Sequence, residues 1–138
     1  MNLTDTGPLV ALLDADDQHY ASCVAASDHL DPGPMLTMWA CFTEAMHLLG
    51  SEGGYRYQEA LWNLYLAQHL VVHELTPSEA GRAAELMKQF SNVPMDFADA
   101  TLVAVAESRA IRRVFTTDRD FWIYRLADGS MLEPIPVR

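Results

Sequence analysis

Apolar residues along this chain follow two alternating rhythms. Short runs with strand character, "NLTD" (2–5), "MLTM" (35–38), "LVVHEL" (70–75), "RVFTTD" (113–118) and "MLEPIPV" (131–137), are separated by stretches of helical period. After the first run, Gly7-Pro8 and "LVALLDADD" open a helix, since proline suits a first turn. "DQHYASCVAASDHL" (17–30) predicts a helix with Ala21, Val24, Ala25 and His29 or Leu30 on its inner face. "WACFTEAMHLLG" predicts one ending at Gly50, and "GYRYQEALWNLYLAQH" one with Ala60, Leu61, Leu64 and Tyr65 or Gln68 facing inward. "TPSEAGRAAELMKQF" carries its own start signal, with Thr76 as N-cap, Pro77 in the first turn and Glu79 three residues after the cap. "DFADATLVAVAESRA" (96–110) is the last helix. Strands alternating with helices predict an α/β fold with a central, mainly parallel sheet of four to five short strands. In such sheets ligands sit beyond the carboxyl ends of the strands, where the strand order switches.

Length fits this picture. The 138 residues suit one domain spanning 1–138, with enough chain to bury a core without disulfides. Cys23 and Cys41 stand in apolar helical contexts and read as buried free thiols of a reducing compartment. "MNLTDTG" lacks a basic start and a long apolar run, and no stretch approaches the roughly 18 apolar residues of a membrane span, so a cytoplasmic location is expected.

Charge changes the functional picture more. The net charge is −10, and the first basic residue is Arg56. Six of the nine basic residues fall late, at Arg109, Arg112, Arg113, Arg119, Arg125 and Arg138. Such acidity argues against passive nucleic-acid binding, but it allows an enzyme that meets phosphates through a bound cation.

The strand scheme gives several acids one address. Asp5 ends the first strand and Asp118 the fourth, at the carboxyl edge of the sheet. Glu44 lies near the start of the helix after the second strand, amid Cys41, Phe42, Ala45 and Met46. Asp99 opens the last helix, and Asp96 shares its face three residues earlier. Singly, each has an ordinary explanation: Asp5 and Asp118 as turn or cap residues, Asp96 as an N-cap, Asp99 as an acid favoured by the helix dipole, Glu44 as surface. Together, four or five carboxylates from distant segments converge, and no Lys or Arg adjoins Asp5, Glu44 or Asp99 in sequence. Crowded carboxylates repel, and a hard divalent cation with oxygen ligands relieves that repulsion.

The four blocks "LTDTGPLVALLD", "FTEAMHLL", "MDFADATLVAVAE" and "VFTTDRDF" resemble, in order and spacing, the acidic blocks of the PIN domain, most of all in the VapC-type toxins of toxin–antitoxin pairs. The resemblance implies a three-layer α/β sandwich, its sheet flanked by helices, and a Mg²⁺- or Mn²⁺-dependent endoribonuclease that leaves 5′-phosphate and 3′-hydroxyl ends. It places the catalytic set on Asp5, Glu44, Asp99 and Asp118, with Asp5 and Asp99 as the inner metal ligands. Thr6 and Thr117 match the small hydroxyl residues beside the acids, and Asp96 an additional acid of some members. Gly7 departs from the Ser or Asn often found there, which removes a polar contact. The resemblance also implies a VapB-like antitoxin seated between the early helices, and pairing of two copies. Arg109, Arg112, Arg113 and Arg119 are candidates to steer RNA toward an otherwise acidic site.

Three other readings are weaker. The histidines lack zinc-ligand spacing, because the valines between His69 and His73 indicate a strand. A phosphoacceptor receiver needs a lysine near the late strands, and the single lysine is Lys88 in a mid-chain helix. A non-catalytic PIN scaffold that binds RNA or protein, or a housekeeping nuclease without an antitoxin, stays as the alternative; the intact acid set speaks against the scaffold.

Overall fold

A computed structural model describes residues 1–136. Five parallel strands form the central sheet: β1 (Asn2–Thr4), β2 (Met35–Met38), β3 (Leu70–His73), β4 (Arg113–Phe115) and β5 (Glu133–Ile135), in the order β3-β2-β1-β4-β5. Side-chain alternation assigns the two faces. Leu3, Leu36, Met38 and Val114 point to one face and pack against α5 (Pro77–Gln89) and α6 (Phe97–Arg109). Met35, Leu70 and Phe115 point to the other, against α1 (Thr6–Leu13), α2 (Tyr20–Ser27), α3 (Trp39–Gly53) and α4 (Tyr55–Leu66). The expected three-layer arrangement is therefore present. Pro134 fits β5 because that strand pairs only with β4 and lies at the edge. Val137, the last residue of the expected final strand, lies outside the described residues.

α2 and α3 differ most from expectation, and α4 ends at Leu66 rather than at His69. α3 does not stop at Gly50 but runs to Gly53, and Gly54 ends it in the left-handed region at φ +70°. α2 is shorter than residues 17–30 and turns a different face inward. Asp17 accepts from the His19 and Tyr20 amides and so forms a turn that delays the helix. Cys23 and Ala26 are then buried, while Ala21, Val24 and Ala25 are exposed. Thr76 and Glu79 form the expected capping box at the start of α5. Cys23 and Cys41 are free and buried. No described helix is long and apolar enough to cross a membrane.

Candidate metal centre

The chain builds β1, β2 and β3 outward in one direction and then returns to place β4 on the other side of β1. The switch in strand order thus lies between β1 and β4, and the residues just past those two strands line it. Asp5 follows β1, where its amide donates to the Phe115 carbonyl at 2.9 Å. It also caps α1, because its Oδ1 accepts from the Thr6 amide at 2.8 Å. Asp118 follows β4 and opens a 3₁₀ turn, Arg119–Trp122, its Oδ1 accepting from the Asp120 amide at 2.8 Å. Asp99 enters from α6. Asp96 caps that helix, its Oδ1 accepting from the Asp99 amide at 2.8 Å, and this bond fixes where the Asp99 side chain starts.

The result is a cluster in which one carboxylate oxygen each of Asp5, Asp99 and Asp118 lie within 4.8 Å of one another. Asp5 and Asp99 are buried and Asp118 is half-buried. Burial pushes the Asp5 carboxyl up to about 6, against hydrogen bonds from Thr116 and Thr6 that favour the anion. Burial pushes Asp99 further, to about 8, with the Asp5 charge adding to it. Asp99 is held at Oδ2 by the buried Tyr124 hydroxyl at 2.8 Å, and the same contact, after burial, raises the tyrosine. Among the described residues, the hydrogen-bond donors to the Asp5 and Asp99 carboxylates are neutral hydroxyl, thiol and amide groups. A buried, all-oxygen, mutually repelling set, with no cationic side chain among the described residues bonded to Asp5 or Asp99, fits a hard divalent ion such as Mg²⁺ or Mn²⁺.

The other expected residues take varied positions. Glu44 is exposed on α3 and lies outside the three-acid cluster; it meets the centre through Thr6, whose Oγ1 donates to Glu44 Oε2 at 3.3 Å. Asp96 is exposed and is the helix cap. Thr117 makes no side-chain hydrogen bond among the described residues. Its neighbour Thr116 bears the bonds instead, donating from Oγ1 to Asp5 Oδ2 at 2.8 Å and accepting from the Asp118 amide at 3.0 Å. Thr117 Oγ1 packs where a Cβ on residue 7 would stand, so glycine at 7 has a steric reason: it admits the turn after β4 against α1. Of the arginines, Arg119 directly follows Asp118 and is exposed. Arg109 is ten residues along α6 from Asp99, roughly 15 Å by helix rise, and bonds His73. Arg113 stands at the opposite end of β4, bonded to Asp31 and to the His29 carbonyl. Arg112, just before it, is tied to Asp128, Ser130 and Met131. These pairings hold Arg112 and Arg113 remote from the acids, because β4 runs from Arg113 toward the carboxyl edge where the acids lie.

Thr116 and Tyr124 carry no sequence signal that sets them apart. Thr116 was obscured by Thr117 beside it, and the alternation of β4 decides which of the two faces Asp5. Replacing Tyr124 with Phe is expected to cost about 1 kcal/mol, the net worth of one buried hydrogen bond, in chemical denaturation. It is also expected to weaken Mn²⁺ binding several-fold in calorimetric titration, since Asp99 loses the donor that favours its anion.

The fold has close relatives among solved structures. The toxin VapC20 of Mycobacterium tuberculosis, described as cleaving the sarcin–ricin loop, superposes with a TM-score of 0.81 at 23% identity, covering 89% of this chain and 94% of that one. A toxin–antitoxin complex from Klebsiella pneumoniae gives 0.65 at 16% identity, covering 88% and 90%. VapBC2 of Rickettsia felis, bound to a DNA fragment from its promoter, gives 0.65 at 11% identity, covering 96% and 97%. Among curated proteins no sequence matches. The model of the PIN domain family matches residues 3–128, which include Asp5, Glu44, Asp99 and Asp118. The chain belongs to the PIN domain family.

Proposed function

We propose that the protein is a divalent-metal-dependent endoribonuclease, the toxin of a toxin–antitoxin pair. The observation that carries this reading is the Asp5–Asp99–Asp118 cluster at the strand-order switch of a PIN domain. Asp5 and Asp99 would hold the ion, being the two buried carboxylates raised by burial. Asp118, half-buried, and Glu44, on the exposed rim beside Thr6, border the space where a phosphodiester would enter. When bound, Mg²⁺ or Mn²⁺ supplies a water of lowered pKa and offsets the charge that builds on the phosphate oxygens. Thr116 orients two of the three acids at once, one through its hydroxyl proton and the other through its oxygen. The fold's likeness to toxin–antitoxin complexes supports an antitoxin as partner. The exposed aromatic edge of α3 and α4, with Trp39 and Trp62 packed around Phe42 and Tyr65, is a surface for it. Pairing of two copies and a cytoplasmic location belong to the same reading.

The test is cleavage of a labelled single-stranded RNA by purified protein in Mn²⁺ or Mg²⁺. Cleavage is expected with metal, and its loss in EDTA with recovery on adding back excess Mn²⁺. Cleavage that persists in EDTA, or a wild type inert with both ions, would overturn the assignment. Expression of the protein alone is expected to arrest growth, and co-expression with a cognate VapB-like antitoxin to relieve the arrest.

A further inference from the structure

A cavity of about 130 Å³ opens beside the metal centre. Its walls are His19 and Ser22 from the start of α2, Thr116, Thr117 and Asp118 from the turn after β4, Trp122 from the 3₁₀ turn, and Pro136. Two of these walls, Thr116 and Asp118, belong to the acid cluster and its support, so the cavity continues the candidate active site. Three features of the remaining walls point to one kind of occupant. Trp122 is half-buried and stacks on no other aromatic ring among the described residues, so one face of a large π-system is left for a ligand. The His19 ring makes no hydrogen bond among the described residues and is half-buried at the cavity wall. The Ser22 hydroxyl donates to the His19 carbonyl and leaves its oxygen at the same wall as an acceptor. An aromatic platform beside an unpartnered imidazole and a hydroxyl oxygen is the chemistry that holds one nucleobase, stacked on the ring with its polar edge on the imidazole and hydroxyl. The volume suits a single base, with its ribose and phosphate outside the cavity, and is well below that of an ordinary small-molecule pocket.

We propose that this cavity is the subsite for a nucleotide neighbouring the scissile phosphate. Trp122 stacks its base, and the His19 ring and Ser22 hydroxyl meet the polar edge of that base. The proposal rests on the ribonuclease reading for the scissile position but not for binding itself. It assigns positioning to residues that carry no acid and lie outside the metal cluster, and it gives a polyanion a foothold on a protein of net charge −10.

The experiment uses the full chain and two readouts. Steady-state cleavage of a fluorogenic single-stranded RNA in Mn²⁺ compares wild type with His19→Ala, Trp122→Leu and Trp122→Phe. His19→Ala and Trp122→Leu are expected to raise KM about 5- to 50-fold, the worth of one base stack or less, with kcat within about twofold. Trp122→Phe is expected to recover most of the loss, and Mn²⁺ affinity by calorimetry to stay unchanged in all three. Binding is read separately by fluorescence anisotropy of a single-stranded heptaribonucleotide at low salt, with each substitution placed in the Asp99→Asn protein. Weaker binding in both double variants supports the subsite even if the wild type proves not to cleave RNA, in which case only the nuclease reading falls. Unchanged KM and unchanged anisotropy in folded His19→Ala and Trp122→Leu proteins, or a shift in Mn²⁺ affinity equal to the loss of cleavage, overturns the subsite.

Discussion

Asp99→Asn is expected to abolish metal-dependent RNA cleavage and, in the same protein, to raise the melting temperature measured without metal at pH 8. The two effects share one cause. Asp99 is buried beside Asp5, and the metal-free fold must either ionise it at a cost or hold a proton on it. Asparagine keeps an oxygen that accepts from the Tyr124 hydroxyl at the same place, so the hydrogen bond survives while the charge goes. The gain should be several °C in a thermal melt. The same change removes one of the two ligands that would hold the ion, and cleavage should fall at least about a thousandfold, roughly 4 kcal/mol of transition-state stabilisation. A variant that is inactive and also less stable would mean that Asp99 holds the fold together, and the metal-ligand role would lose its support.

The second large effect is a reversal of pH dependence by metal. Asp5 and Asp99 have folded-state values of about 6 and about 8, against 3.8 for the ordinary group. Between those limits the folded state binds more protons than the unfolded one. Their contribution to stability is therefore complete below about pH 4 and is lost as pH rises through 6 and then 8. Glu79 works the other way: burial raises it, but bonds from Ser108, Thr76 and His73 prevail and hold it at about 2, so its contribution is lost as pH falls from 4.5 toward 2. The metal-free protein should thus be most stable near pH 5 and weaken toward pH 8.5. A cation competes with those protons and binds the ionised pair, so saturating Mg²⁺ or Mn²⁺ should shift the melt little at pH 5.5. At pH 8 the shift should be of the order of 10 °C for an ion at about a hundred times its Kd. Differential scanning fluorimetry across pH with EDTA or Mn²⁺ reads this directly, and parallel curves with and without metal would contradict it. Binding should also release protons near pH 7, measurable as a buffer-dependent enthalpy.

Most of the architecture is legible in the sequence because hydrophobic period and strand length are local properties. β2 begins and ends where "MLTM" does, and the Thr76 cap announces α5 without any tertiary information. The misread face of α2 shows the limit. In "ASCVAAS" several small residues fit either side of a helix, and the choice of Cys23 and Ala26 is made by the space left between α1, β4 and β5. The acids follow the same division. Asp5, Asp99 and Asp118 can be placed from strand ends and helix starts, and they do meet. Glu44 sits among apolar neighbours in sequence yet faces outward, because a helix shows its neighbours three and four residues away rather than those beside it. Thr116 and Tyr124 are invisible beforehand, since their value depends on which way one strand residue points and on a contact spanning 25 residues from Asp99.

The return of the chain across β1 has a consequence in time as well as space. Asp5 is made early relative to its partner Asp118 and its support Thr116, which come more than a hundred residues after it. Until β4 has slotted beside β1, no partial chain can assemble the three acids. A polypeptide whose activity would destroy the RNA around it is in this way harmless while it is being synthesised, and a protease cut anywhere between Thr6 and Asp96 that lets the halves drift apart disarms it. The order of strands is, on this view, a safety catch released only by completion of the sheet.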